Sequence, residues 1–215
     1  LMITKIKICG ITNLADALAA VDAGADALGF MFYEVSPRCV PQKVVEEIVR
    51  ALPPFVAKVG VFVNASADDI NRIVEECGLD TLQFHGDEPP EFCRQFRTKT
   101  IKAFRVRDAQ SLEQMAPYHS EAWLLDTFVA GKLGGTGEQF NWDLAREAVG
   151  RNPRVILAGG LTPDNVAQAV RQVRPFAVDV SSGVEFSPGT KDHAKIRAFV
   201  AAVRSVEGTP EATAG

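Results

Sequence analysis

Short β-branched or aliphatic runs alternate with amphipathic stretches along almost the whole chain, separated by Gly, Pro, Asn or Asp. Strands are expected near 4–9, 25–30, 56–62, 81–84, 100–105, 122–126, 154–158 and 176–181. Helical periodicity fills the intervals, over 13–23, 41–52, 66–77, 89–97, 108–117, 141–149, 163–173 and 192–205. The mean repeat of about 25 residues is that of a βα unit. Eight such units predict an α/β fold with a closed parallel sheet, a (β/α)8 TIM barrel, more than an open sheet. One domain is expected over 1–206, and the tail 207–215 lacks a periodic apolar face and is expected to fray. Two helix starts carry clear signals. Thr162 offers a capping hydroxyl before Pro163, and Ser66 offers one before the acids Asp68 and Asp69.

At 47% hydrophobic and 23% charged residues, the chain has enough apolar surface to exclude a mostly disordered state. A net charge of −4 leaves no global electrostatic footprint for nucleic acid or an anionic membrane. Any anionic ligand must therefore be held by a few local groups. The four cysteines form no CxxC and no zinc-type spacing, so they read as reduced thiols. No apolar run approaches the roughly 20 residues of a membrane span, and no signal peptide is evident, which makes the cytoplasm the expected location.

A barrel of this kind carries its active site at the carboxyl ends of its strands. Cys9 closes the first strand and Asp126 the sixth, so both belong to that face. Cys9 reads either as a buried thiol or as a reactive group, and Asp126 either as a cap or as a functional acid. Arg38, in the loop after strand two, suits a substrate carboxylate through its planar fork, or else is a solvated surface arginine. Gly159 and Gly160 follow strand seven, and Ser182 and Gly183 follow strand eight. Paired on neighbouring loops, they favour phosphate binding by backbone N–H groups over simple tight turns. The glycine-rich segment 127–140 holds no nucleotide fingerprint and reads as a lid or a connection, with Lys132 unassigned. His85 has no second histidine at another strand end, which argues against a metal. Asp179 lies within the eighth strand, opposite in face to Val178 and Val180, either to bind sugar hydroxyls or to pair as a structural acid.

Taken in order, several blocks resemble the phosphoribosylanthranilate isomerase family of tryptophan biosynthesis. They are Lys7-Ile8-Cys9-Gly10-Ile11-Thr12, Gly29-Phe30 through Ser36-Pro37-Arg38, Gln83-Phe84-His85-Gly86 and Leu125-Asp126. Gly134-Gly135-Thr136-Gly137, Ala158-Gly159-Gly160-Leu161 and the run from Val178 to Glu185 complete the set, which covers essentially the whole barrel. Cys39 departs from the larger residue usual in the family after the arginine.

The resemblance implies an isomerase that performs an Amadori rearrangement on a phosphosugar, in which Asp126 is the general acid at the ring oxygen. Cys9 is the general base at the sugar C2, and Arg38, His85 and Asp179 join the phosphate loops in binding substrate. Because the anthranilate nitrogen becomes an iminium-type electron sink, no metal or organic cofactor is required. No nucleic-acid or membrane partner is implied, and the chain is expected as a monomer or homodimer. Lys7 shares a strand face with Cys9 and is expected to favour its thiolate. Acid and base can both work near neutral pH only if the site lowers the Cys9 pKa and raises that of Asp126. Other barrels fit less well. A metal-dependent epimerase needs absent strand-end ligands, indole-glycerol-phosphate synthase is longer, and a bifunctional isomerase places aspartate at Cys9. A non-catalytic phosphosugar-binding barrel would be indifferent to Cys9→Ala.

Overall fold

Eight parallel strands form a closed barrel in chain order, with β1 (Lys5–Cys9) hydrogen-bonded to both β2 (Ala27–Met31) and β8 (Ala177–Val180). Between them run β3 (Ala57–Phe62), β4 (Thr81–Phe84), β5 (Lys99–Arg105), β6 (Ala122–Asp126) and β7 (Val155–Ala158). The computed structural model describes residues 3–126 and 142–206 of the chain. The expected 127–140 loop, with Lys132 and Gly134-Gly135-Thr136-Gly137, and the expected frayed tail lie outside the described residues. Among those residues no helix is long and apolar enough to cross a membrane.

Period-two alternation sorts the strand residues into two apolar clusters. One fills the barrel and is built of modest side chains such as Val59, Ala103, Leu124, Ala158 and Ala177. Large residues, including Phe30, Phe62, Phe84 and Leu125, face outward into the helix layer and form the main core. That layer comprises α1 (Leu14–Ala23), α2 (Gln42–Ala51), α3 (Ala67–Cys77), α4 (Pro90–Arg94), α5 (Ala109–Glu113), α6 (Trp142–Arg151), α7 (Val166–Val173) and α8 (His193–Arg204).

The expected cap at Ser66 is present, its hydroxyl accepting from Asp69 N at 3.2 Å. The one at Thr162 is not. Asn165 Oδ1 instead accepts from Thr162 N at 2.8 Å, and its Nδ2 donates to Gly160 O at 2.9 Å. Those bonds hold 162–165 as a turn and delay α7 to Val166. Helices α4 and α5 are also shorter than their apolar patterns. Phe92 and Phe96 both pack on Phe84, although Phe96 lies beyond the helix, so burying them does not need helical backbone. After β8 come a 3₁₀ turn, Ser182–Val184, and a small hairpin, β9 (Glu185–Ser187) with β10 (Thr190–Lys191), which the sequence pattern did not announce.

A buried ion pair braces the loop after β4. Lys102 Nζ lies 3.1 Å from Glu88 Oε2 and donates to Gly86 O at 2.6 Å, with both side chains 3% exposed. Glu88 also accepts from the backbone N–H of Asn64 and Gly86, at 2.7 and 2.9 Å. Truncating one partner strands the other charge in the interior. Glu88→Ala should therefore lose about 3–5 kcal/mol of unfolding free energy. The double variant Glu88→Leu, Lys102→Met should recover much of that loss in urea denaturation. Full stability of Glu88→Ala would contradict the assignment.

Candidate active site

Cys9 and Asp126 are the last residues of β1 and β6, and both line one cavity of about 250 Å³ at the carboxyl end of the barrel. Arg38, His85 and Asp179 line it too, as do Gly159, Gly160, Ser182 and Gly183. Every sequence-expected site residue except Lys7 thus borders one space. Lys7 sits deeper on the same face of β1, its Nζ 2.8 Å from Asp179 Oδ1 across the β1–β8 register. A side chain at Gly29 would meet Cys9 Sγ at 2.7 Å and Lys7 Nζ at 3.0 Å. Glycine on β2 therefore leaves the room in which the thiol and the ammonium approach each other.

The charge balance around Cys9 corrects one expectation. The sequence argument calls for a lowered thiol pKa, but burial pushes the Cys9 thiol up, with Asp179 adding to the rise. Lys7, and to a lesser degree Lys191, oppose it without prevailing. Lys7 itself is held charged. Burial pulls its pKa down, but Asp179 and Cys9 more than offset that.

Arg38 is held by Glu185 through a two-pronged ion pair, Nε to Oε1 at 2.8 Å and Nη2 to Oε2 at 2.6 Å. Glu185 also accepts from Lys191 Nζ at 3.0 Å. The same ammonium donates to Cys9 O at 2.6 Å and Ser181 O at 3.3 Å. Burial alone would raise the Glu185 carboxyl, yet Arg38 and Lys191 hold it below its ordinary range. Burial draws Lys191 down in turn. The hairpin thus ties the Arg38 guanidinium to the backbone of Cys9. The fork presented to Glu185 leaves Nη1 without a hydrogen-bond partner among the described residues.

Sequence reasoning assigned no role to Glu185, Lys191 or Gln83. Glu185 and Gln83 stood within the motif blocks, whereas Lys191 carried no signal. Gln83 Nε2 lies 3.1 Å from His85 Nδ1, and His85 Nε2 lies 3.2 Å from Asp126 Oδ2. Gly159 and Gly160 have φ of 82° and 64°, left-handed values that favour glycine. A Cβ on Gly183 would overlap Leu161 O, so the loops after β7 and β8 pack backbone to backbone. Residues of both loops, Gly159, Gly160, Ser182 and Gly183, therefore line the cavity together. Among the described residues, no group of three or more His, Cys, Asp or Glu is arranged to hold a metal ion.

Residues 6–202 match the family model described as N-(5'phosphoribosyl)anthranilate (PRA) isomerase. A relative of that name from Citrifermentans bemidjiense is 56% identical over 203 residues, covering 94% of this chain and 98% of its own. Another from Geobacter sulfurreducens is 53% identical over 196 residues, covering 91% and 96%. The crystal structure of phosphoribosyl anthranilate isomerase from Thermotoga maritima superposes with a TM-score of 0.89 at 44% identity, covering 94% of this chain and 99% of its own. A crystal structure of a phosphoribosyl anthranilate isomerase in complex with reduced 1-(o-carboxyphenylamino)-1-deoxyribulose 5-phosphate gives a TM-score of 0.86 at 43% identity over the same shares.

Because only the thiolate is alkylated, a raised thiol reacts faster as pH rises. Alkylation of Cys9 by iodoacetamide, followed by peptide mass mapping, should increase about tenfold per pH unit. It should still be increasing above pH 9.0, the ordinary thiol value. A plateau reached below about pH 8 would mean that Lys7 outweighs burial.

Proposed function

The chain belongs to the N-(5'-phosphoribosyl)anthranilate isomerase family and carries out the isomerase step of tryptophan biosynthesis, and from that premise we propose that Cys9 and Asp126 are its base and acid. Asp126 protonates the furanose ring oxygen as the bond from that oxygen to C1 breaks. The anthranilate nitrogen supplies the electron pair and becomes an iminium. Cys9 then removes the C2 proton, the C2 electrons neutralise the iminium, and the enolamine so formed becomes the ketose by gaining a proton at C1 and losing the proton of the C2 hydroxyl. One acid and one base suffice because the substrate carries its own electron sink. The thiol must be ionised for its step, and the iminium charge developing beside it adds to the field of Lys7. The ionised fraction of the thiol is thereby raised with substrate in place, even though burial disfavours the thiolate beforehand.

The observation that carries this reading is that Cys9 and Asp126 end two non-adjacent strands, β1 and β6, around one cavity. A small ring set between them meets the acid and the base from different sides. Main-chain donors of Gly160, Ser182 and Gly183 would hold the phosphate. Arg38, already oriented by Glu185, would hold the anthranilate carboxylate, while His85 and Asp179 would contact the remainder of the substrate. We take the chain to act in the cytoplasm as a monomer or homodimer, with a phosphosugar as its only required ligand.

Adding the pure protein to phosphoribosylanthranilate should make the substrate fluorescence decay enzymatically. Cys9→Ala and Asp126→Asn should each lower turnover by roughly 10²–10⁴-fold, with much smaller effects on substrate affinity. Near-full turnover in either variant would move that role to another residue. Arg38→Ala should cost about 1.5–3 kcal/mol of transition-state stabilisation in kcat/KM, the scale of a charged hydrogen bond. Arg38→Lys should restore only part, since a lysine cannot present the planar fork. An unchanged kcat/KM in the alanine variant would leave Arg38 as a purely structural partner of Glu185.

A further inference from the structure

Gln83 is 1% exposed and lies between Val61 and Ile101 in the register of the barrel. Its amide nitrogen faces His85 Nδ1 at 3.1 Å, and the far side of the same imidazole faces Asp126 Oδ2 at 3.2 Å. Its amide oxygen, Oε1, is buried and has no hydrogen-bond partner among the described residues. A buried polar atom left unpaired works against folding, and an apolar side chain of the same length would avoid the cost. Its presence beside the acid therefore calls for a role that an apolar residue could not fill.

The row Gln83–His85–Asp126 has two self-consistent hydrogen-bond arrangements. In the first, the Gln83 amide donates to Nδ1, which then carries no hydrogen. His85 holds its hydrogen on Nε2 and donates it to the Asp126 carboxylate. In the second, Asp126 is the carboxylic acid and donates to Nε2. The ring hydrogen then sits on Nδ1 and needs an acceptor, which Oε1 becomes once the amide turns over. The amide oxygen and nitrogen are nearly equal in size, so the turn requires no repacking. The end of the amide pointing away from His85 meets no partner when it is Oε1. No hydrogen-bond partner anchors that end, so the histidine tautomer selects the orientation.

We propose that Gln83 is a positioning residue for the acid: its amide turns with the protonation state of Asp126, so that His85 accepts from the acid form and donates to the carboxylate form. This rests on the reading of Asp126 as general acid. Each turnover uses both forms of Asp126, and the row accommodates both without placing a charge on the imidazole.

The test combines histidine ¹⁵N NMR with steady-state kinetics on three variants, with the His85 signals assigned by their loss in His85→Asn. In the parent protein with Asp126 ionised, the hydrogen should sit on His85 Nε2. In Gln83→Glu, whose carboxylate only accepts, a hydrogen should be found on Nδ1 as well. Gln83→Met should leave a mixture of tautomers and lower kcat roughly tenfold while KM stays within about twofold. A parent-like tautomer in both variants, or a parent-like kcat in both, would overturn the proposal. Asp126→Asn separates the two levels of inference. If it is inactive while both Gln83 variants keep the parent kcat, only the role of Gln83 fails. If it keeps full turnover, the reading of Asp126 as the acid fails, and this proposal with it.

Discussion

The barrel closes where its first and last strands meet, and that seam holds a buried charge pair. Lys7 on β1 lies opposite Asp179 on β8 in the strand register, with 2.8 Å between Nζ and Oδ1. A pair this well buried is a poor source of net stability, since desolvation offsets most of the attraction. Its value lies in specification. A slip of one residue by either strand would turn its charge toward the apolar helix layer and leave the other buried without its partner. The same register sets Cys9 at the rim, two residues beyond Lys7, so closure and the position of the base are one structural fact. An apolar pair of similar volume would match it in stability but would remove the cation that opposes the burial of the thiol.

A second layer of charges connects this seam to the mouth of the site. Lys191, carried on the β9–β10 hairpin, binds the Cys9 carbonyl and Glu185 together, and Glu185 grips Arg38. The loop after β2 and the chain after β8 are thus joined by side chains rather than by sheet hydrogen bonds. On the other side of the cavity, Lys102 and Glu88 fix the loop that carries His85, from outside the barrel wall. Arg38 and Asp179 are thus held by partners that do not line the cavity, Glu185 and Lys7. Preorganisation of this kind lets the groups meet the transition state without paying to reorient.

The positions of the strands were readable because each βα unit repeats the same demand, an apolar strand followed by an amphipathic stretch, and the closed sheet imposes it eight times. β4 and β6 fall where the apolar pattern places them, and the other strands differ by a residue or two at their ends. Cys9 and Asp126 are legible as well, because each closes an apolar strand and a barrel gathers its site at those ends. Pattern failed where partners came from distant parts of the chain. Lys191 serves Cys9 across 182 residues, and no local signal encodes that contact. The Thr162 cap failed because Asn165 offered the backbone a better set of hydrogen bonds. The thiol expectation failed for a related reason. Charge spacing along β1 was visible in the sequence, but the depth of burial that outweighs it was not.

The central claim is that two residues divide one rearrangement, with Asp126 opening the ring and Cys9 breaking the C2–H bond. Substrate deuterated at C2 of the ribose separates these steps. In Cys9→Ser, which keeps a weaker base at the same place, removal of the C2 proton should limit turnover, so a full primary deuterium isotope effect on kcat is expected. In Asp126→Asn, ring opening should limit, and deuterium at C2 should make little difference. A large isotope effect in Asp126→Asn together with none in Cys9→Ser would reverse the two roles and contradict the account.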